Sequence, residues 1–333
     1  MKAVVCRQYG GPEAARLEDV PPPLLLAGTV RIEVRACSAS FASLQVMAGR
    51  HQNRAELPLV PGTELAGIVA EVGAGVIRFR VGDRVIAGVQ SGAYAQEAVA
   101  PEQTVFHLPD DIPFETGAQF PTVYGTAFAA LDWRANLVPG ECLLVHGAAG
   151  GSGLAALQIG KALGATVIAT AGSNEKIAAL AAHGADHALD RRSDWRARVL
   201  ELTGGRGADV VYDPVGGDAF DESLRCMAPE GRIIPMGFAS GRIPSVAANI
   251  VLVKNITLIG IYWGCYFGWG RQPAPPGMDA RLRDAYRQMF DWTRSGVLKP
   301  RVHAALPLGD FREALRMIAS REVIGRVVML PFG

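Results

Sequence analysis

The stretch PGECLLVHGAAGGSGLAALQIGK, residues 139–161, decides how the chain is read. Leu143 to Val145 is a short apolar run of the kind a buried strand has. Gly147, Gly150, Gly151 and Gly153 come next, and the apolar run from Leu154 to Leu163 leads to Gly164. Strand, glycine turn and helix are the first half of a mononucleotide-binding βαβ unit. A side chain in the turn would keep the backbone away from a pyrophosphate. The helix N-terminus beyond it offers N–H groups and a partial positive charge to the same anion. The motif reads Ala148-x-Gly150-x-x-Gly153, with alanine at its first glycine position, and Thr166–Ala171 follows as the next parallel strand should.

Outward from the turn, the α/β alternation continues. A helix over Asn174–His183 closes at Gly184, and another over Trp195–Leu202 ends at Gly204-Gly205. Ala208–Tyr212 is an apolar strand, and the turn Asp213-Pro214-Val215-Gly216-Gly217 lies at its carboxyl end, where ligands of such sheets bind. A helix to Met227, a strand over Gly231–Gly237 and a last strand over Ile256–Trp263 complete the pattern. The fold class is α/β, a doubly wound parallel sheet. The second strand ends at Gly172 and Ser173, and no acidic residue follows until Glu175. An acid there would bind a ribose 2′-hydroxyl; small neutral residues followed by Lys176 suit a 2′-phosphate. Lys176 can also be read as a solvated helix residue. Arg191, after the third strand, can pair a phosphate bidentately or be a surface charge.

Residues 1–110 read differently, rich in glycine, proline and β-branched residues, with Val30–Val34 alternating at period two. A second, β-rich domain is expected, and 333 residues are enough for two cores. Hydrophobic residues are 49% and charged residues 20%, as in a globular protein, and a formal charge of +1 makes no case for nucleic acid or an anionic membrane. No apolar run approaches the ~20 residues of a membrane span, and the N-terminus lacks the pattern of a signal peptide. Cys6, Cys37, Cys142, Cys226 and Cys265 are scattered without a C-x-x-C pair, which argues for reduced thiols and a cytoplasmic location.

Gly140-Glu141-x-x-Leu144, Ala148-Ala149-Gly150-Gly151-x-Gly153, Gln158 and Lys161 together resemble the signature of the quinone oxidoreductase/zeta-crystallin branch of the medium-chain dehydrogenase/reductase superfamily. The resemblance extends over nearly the whole chain. It implies a Rossmann domain at 126–263 inserted in a GroES-like β-rich catalytic domain built from 1–125 and 264–333, with the cofactor between them. It implies NADPH, held by Thr126, Ala149, Gly150, Gly151, Ser152, Gly153, Gly172, Ser173, Lys176, Arg191, Val215, Gly237, Phe238, Ser240 and Arg321. A homodimer through the last strand is also implied.

The departures from the superfamily matter as much. Thr63 stands where zinc alcohol dehydrogenases have a ligating histidine, Ser40 where they have the first zinc cysteine, and the four-cysteine lobe is missing. Zinc needs converging Cys, His or carboxylate ligands, so no metal and a zinc-independent mechanism are expected; Glu64 alone makes no site. Ser40 and Ser43 occupy positions that are Asn and Asp in related reductases, and His51 stands where some carry a tyrosine acid. Ser40, Ser43, His51, Tyr262 and Trp263 are the substrate-binding candidates. His51 and Tyr124 are the catalytic ones: a histidine titrates nearer neutral pH than a phenol with a pKa of about 10. The alternative readings are a surface histidine in a polar run and a core aromatic on a helix. Tyr262, Trp263, Tyr266, Phe267 and Trp269 lie close together and are read as a wall of an apolar pocket or as dimer contacts.

The activity implied is hydride transfer from NADPH to a small electrophile. A quinone comes first and the C=C bond of an α,β-unsaturated carbonyl second; a non-enzymatic NADPH-binding protein is the third reading. Arg50, Arg54 and Arg271 are the basic residues a CoA thioester would use.

Overall fold

The computed structural model describes residues 1–51, 55–270 and 272–333. By its internal contacts the chain divides into two units: Val123–Tyr262 with Asp291–Lys299, and Met1–Thr122 with Trp263–Phe290 and Pro300–Gly333.

The first of these is built on six parallel strands: β1 (Cys142–Val145), β2 (Thr166–Ala171), β3 (His187–Asp190), β4 (Ala208–Asp213), β5 (Met227–Pro235) and β6 (Thr257–Leu258). Their order across the sheet is β3-β2-β1-β4-β5-β6, the order of the doubly wound dinucleotide-binding fold. Every residue of β1 and β4 is buried, as expected of central parallel strands covered on both faces. The helices are α1 (Gly151–Ala162), α2 (Asn174–Ala182), α3 (Trp195–Leu202), α4 (Asp218–Cys226) and α5 (Ala248–Lys254). In α1 every residue from Gly153 to Gly160 is buried. A Cβ at Gly160 would overlap the Leu143 side chain, so this glycine lets α1 lie close on β1. Leu144, Ile168, Val211, Ile233, Phe220 and Leu224 are part of one core between sheet and helices.

Two expectations change here, and one helix is added. The last strand is two residues long, paired through Arg232↔Thr257 and Ile233↔Leu258, where Ile256–Trp263 was expected. Beyond it Trp263 turns into a 3-10 segment, Trp263–Phe267. Helix α5 carries no amphipathic signal: Leu252 and Val253 are exposed, and the sequence gives no cue to it. Residues 291–299, placed in the catalytic domain from sequence, pack with the nucleotide unit. The Gln158 amide accepts from Lys299 N at 2.8 Å and donates to Lys299 O at 3.0 Å, and Trp292 meets Phe128.

The second unit is β-rich. The strands Val302–Pro307, Arg326–Leu330, Thr29–Ser38, Glu64–Val72, Arg84–Gly88 and Val105–His107 lie side by side in that order, and Glu97–Pro101 also pairs with Thr29–Ser38. The alternation expected at Val30–Val34 is present: Val30, Ile32 and Val34 are fully buried and the residues between them partly exposed. Trp263 and Phe267 belong to the interior of this unit. Trp263 Nε1 donates to Pro121 O at 2.8 Å, Phe267 packs on Phe106 and Trp269, and a Cβ at Gly88 would overlap the Phe267 ring. The aromatic run is buried within this unit at these two positions.

Candidate nucleotide site

The site is assembled at the carboxyl ends of β1, β2, β3, β4 and β5. After β1 the chain turns at Gly147, whose φ of 55° falls in the left-handed region, and Gly150 N donates to Gly147 O at 3.0 Å. Helix α1 starts at Gly151. Its N-cap is Gly150, no side chain caps it, and its first turn holds no acidic residue. The first intrahelical bond is Leu154 N to Gly150 O, so the amides of the turn precede the ladder and the positive end of the helix is not offset by a carboxylate.

The glycines have separate reasons. At Gly153 a Cβ would lie 2.5 Å from Gly147 O and 2.7 Å from Ala148 Cα, so glycine is required for helix and turn to meet. At Gly150 the nearest protein atom to a Cβ would be 3.5 Å away, and the backbone, at φ −76°, suits any residue. Nothing inside the protein demands glycine there. The space that a Cβ would fill fits the close approach of a phosphate group to the turn.

At the end of β2, Ser173 caps α2, its Oγ accepting from Lys176 N at 3.4 Å. Arg191 N donates to Ala171 O at 2.9 Å, and the Arg191 side chain lies across Gly172, with Nε 2.6 Å from where a Cβ would be. Among the described residues the exposed Arg191 guanidinium has no carboxylate partner. Its neighbour Arg192 is paired bidentately with Asp190, which holds that carboxyl down at about 2. The one acid near the end of β3 is thus occupied, and a cation is left beside Gly172.

The third side follows β4. Asp213 is fully buried and its Oδ1 accepts from Val215 N at 2.8 Å and Gly216 N at 3.0 Å. Burial pushes its pKa up. Ala239 N donates to Pro214 O and Ser240 N to Val215 O, so the loop Gly237–Ser240 is bound to the β4 turn. A Cβ on Gly147 would lie 3.2 Å from Val215 Cγ2. The ends of β1 and β4 are therefore neighbours, which is the switch point of such a sheet. The structure brings together Ala149, Gly150, Gly151, Ser152, Gly153 and Val215, and joins Gly237, Phe238 and Ser240 to them. Gly172, Ser173, Lys176 and Arg191 form the neighbouring corner. Thr126 is half-buried on Gly125–Phe128, which packs on α1.

Two residues that sequence reasoning missed sit beneath the turn. His146 is buried, with Nδ1 3.0 Å from Thr170 Oγ1 and Nε2 2.8 Å from Ser223 Oγ. Ser223 gives its hydrogen to Ala219 O, so His146 donates from Nε2 and accepts at Nδ1 as the neutral tautomer. Burial lowers its pKa to about 4. Tyr212, fully buried in β4, is bonded to Ser152 Oγ at 2.7 Å. Both were visible as polar residues in otherwise apolar strand segments, the signal of a buried group that needs a partner.

The other candidates lie elsewhere. Tyr124 is buried and donates to Gln158 Oε1 at 3.0 Å, and burial raises its pKa; this is the core aromatic of the two readings. Tyr262 is exposed. In the β-rich unit, Ser40 caps the helix Phe41–Met47, accepting from Ser43 N at 3.0 Å. Ser43 Oγ lies 2.9 Å from Ser40 Oγ and 2.9 Å from the Tyr94 hydroxyl, which also reaches Ser38 O at 3.1 Å. Ser38 O can only accept. The arrangement that satisfies all three hydroxyls runs from Ser40 to Ser43 to Tyr94 to Ser38 O. Ser43 is buried within it. His51 is half-buried after Gly49, and Arg321 holds the left-handed C-cap of Phe311–Ser320 at φ 61°. Arg54 and Arg271 lie outside the described residues. Glu64 is buried, bonded to Arg326 and accepting from Thr122 N at 3.0 Å. Among the described residues no three His, Cys, Asp or Glu side chains converge as metal ligands would.

Comparison with known proteins accords with this architecture. The family model described as the alcohol dehydrogenase GroES-like domain matches residues 26–110, and the one described as zinc-binding dehydrogenase matches 151–275. A quinone oxidoreductase-like protein 2 homolog of Nematostella vectensis is 38% identical over 333 residues, covering 98% of this chain and 88% of that protein. The crystal structure of Escherichia coli quinone oxidoreductase complexed with NADPH aligns with a TM-score of 0.90 at 30% identity, over 99% of this chain and 100% of that one. A 2-haloacrylate reductase structure aligns with a TM-score of 0.85 at 30% identity, over 100% of both chains.

Proposed function

The chain belongs to the quinone oxidoreductase branch of the medium-chain dehydrogenase/reductase superfamily, and from that premise we propose that it is a zinc-independent, NADPH-dependent reductase of quinones. The observation that carries the cofactor choice is the Arg191 side chain lying across Gly172, without a salt bridge among the described residues, with Lys176 in the first turn of α2 and Asp190 already bonded to Arg192. Two cations at that corner suit a 2′-phosphate. Gly150 and the uncapped start of α1 suit the pyrophosphate. The bound dinucleotide supplies the hydride.

What the protein itself contributes is binding and orientation. A reduced quinone exchanges its oxygen-bound protons with solvent, so this reading needs no protein acid, and Tyr124, bonded internally, is left out of it. Glu64, its oxygens bonded to Arg326 and the Thr122 amide, supports the zinc-independent reading through the donor set itself. Cys6, Cys37, Cys142 and Cys226 are buried free thiols, which suits a cytoplasmic compartment. A second copy of the chain is proposed along β6, where the sheet ends at two exposed residues beside the exposed Leu252 and Val253; sedimentation velocity reads that state directly.

A second reading is reduction of an activated C=C bond, favoured by the similarity to the 2-haloacrylate reductase over the whole chain. It gives His51 a task, because a proton must then reach carbon. Loss of the reduced-nicotinamide absorbance, followed with EDTA present, separates the two: benzoquinone and phenanthrenequinone against 2-chloroacrylate, 2-hexenal and crotonyl-CoA. Turnover of quinones alone, unaffected by His51→Phe, is expected. Turnover of the alkenes alone, abolished by His51→Phe, overturns it in favour of the second reading.

A further inference from the structure

The Tyr212 hydroxyl lies in the sealed interior at the end of β4, and among the described residues its one partner is Ser152 Oγ, 2.7 Å away. Ser152 is half-buried at the second position of α1, inside the glycine turn, and has no other side-chain partner among the described residues. Two hydroxyls facing each other share one hydrogen, and which one donates follows from an inventory. If Ser152 donated, the phenolic hydrogen would have neither an acceptor nor water, the costlier arrangement for a buried group. If Tyr212 donates, its hydrogen is used and the Ser152 hydrogen is left over. Burial raises the Tyr212 pKa, so the phenol keeps its hydrogen across the working range.

We propose that Tyr212 is a positioning residue of the dinucleotide site: by donating to Ser152 Oγ it fixes that side chain and leaves the serine hydrogen for a phosphate oxygen of the cofactor. The inference rests on the dinucleotide reading of the turn. It adds a side-chain donor to a cradle otherwise made of backbone amides, and it gives a buried tyrosine, remote from the ligand itself, a role in affinity. Because Ser152 belongs to the turn and not to the Gly172–Arg191 corner, its bond goes to the pyrophosphate, which NADPH and NADH share. Adenosine 2′-phosphate, which has no pyrophosphate, is blind to it.

The test is fluorescence or calorimetric titration of the wild-type protein, Ser152→Ala, Tyr212→Phe and the double variant with NADPH, NADH and adenosine 2′-phosphate. A hydrogen bond to a charged oxygen is worth about a factor of ten. Ser152→Ala is therefore expected to raise the Kd of both dinucleotides about tenfold and leave adenosine 2′-phosphate unchanged. Tyr212→Phe is expected to raise both about threefold. The double variant should be no worse than Ser152→Ala, since Tyr212 acts only through Ser152. An unchanged Kd in Ser152→Ala overturns the proposal, and so does an effect confined to NADPH or a double variant whose losses multiply. Ser152→Ala, at a half-buried position, carries the test alone if Tyr212→Phe does not fold. A wild-type protein that binds neither dinucleotide overturns the cofactor reading itself, a different result from each of these.

Discussion

At the carboxyl edge of the parallel sheet, Gly150 leaves open space beside a helix start without a side-chain cap, and the Arg191 guanidinium lies over Gly172 with no salt bridge among the described residues. At the start of the helix Phe41–Met47, by contrast, Ser40 and Ser43 are bonded to each other and, through Tyr94, to a backbone carbonyl. Both regions carry residues that the sequence marks for ligands. In the first, the groups that matter are backbone amides and missing side chains, and the fold leaves them unused. In the second they are hydroxyls, and the surrounding core has used them. Availability separates the two regions, and residue type alone does not report it.

The sharpest way to break that contrast is to put a methyl group on each of two glycines three residues apart. Gly153→Ala sets a Cβ against the Gly147 and Ala148 backbone, neither of which can move without displacing the turn. A loss of about 2 kcal/mol or more in stability is expected, with cofactor affinity lost alongside. Gly150→Ala meets no such obstacle, so denaturation should be unchanged while the Kd for NADPH rises about tenfold to a hundredfold. Equal melting losses in both variants would mean that Gly150, too, is there for packing.

Next in size is a pH effect under the turn. His146 is neutral in the folded protein down to a pKa of about 4, whereas in the unfolded chain it takes a proton near 6.5. Between those values the unfolded state binds the extra proton, so stability is full above about pH 6.5 and falls as the pH drops toward 4. The total is roughly 3 kcal/mol. Lowered carboxylates such as Asp190, held by Arg192, add their own losses in the acid range, so the measurement is a difference. His146→Gln keeps a donor and an acceptor but does not titrate. Its stability should be flatter than that of the wild type from pH 6.5 to 4. Parallel curves would remove His146 as the source.

A smaller effect tests the cation corner. Arg191→Ala and Lys176→Ala should each raise the Kd for NADPH about tenfold or more and leave NADH nearly unchanged, the scale of a charge-assisted contact. If both cofactors weaken equally, the corner does not read the 2′-phosphate.

These cases also explain how much the sequence discloses. The turn, the strands on either side of it and the absence of an acid before Glu175 are legible because backbone geometry and the lack of side chains can be read from residue type alone. Residues 291–299 pack with the nucleotide unit through partners distant in the chain, Gln158 for Lys299 and Phe128 for Trp292, which residue type does not report. At Trp263 the sequence leaves pocket wall and dimer contact both open, because an aromatic cluster looks the same in a cavity, an interface or a core. What the structure adds is a partner distant in the chain, Pro121 O, which accepts from the Trp263 indole. His146 and Tyr212 escaped notice for the opposite reason: their chemistry is used up by partners distant in the chain, Ser223 and Ser152.

The least disruptive probe falls on the region where the hydroxyls are already used. Ser43→Ala removes one link from the chain Ser40, Ser43, Tyr94, Ser38 O. Tyr94 keeps its bond to Ser38 O, and the helix keeps its cap, because Ser40 Oγ accepts from the Ser43 backbone and not from its side chain. The cost is the two hydroxyl bonds that Ser43 makes, to Ser40 and to Tyr94, about 1–2 kcal/mol of stability. If Ser43 is structural, KM for the best quinone and kcat both stay within about twofold of wild type. If Ser43 binds substrate, KM rises by a larger factor than the stability loss explains, and Ser43→Thr, which restores the hydroxyl, brings it back. That second outcome would erase the contrast between the two regions, since a hydroxyl bonded inside the core would then be serving the ligand as well.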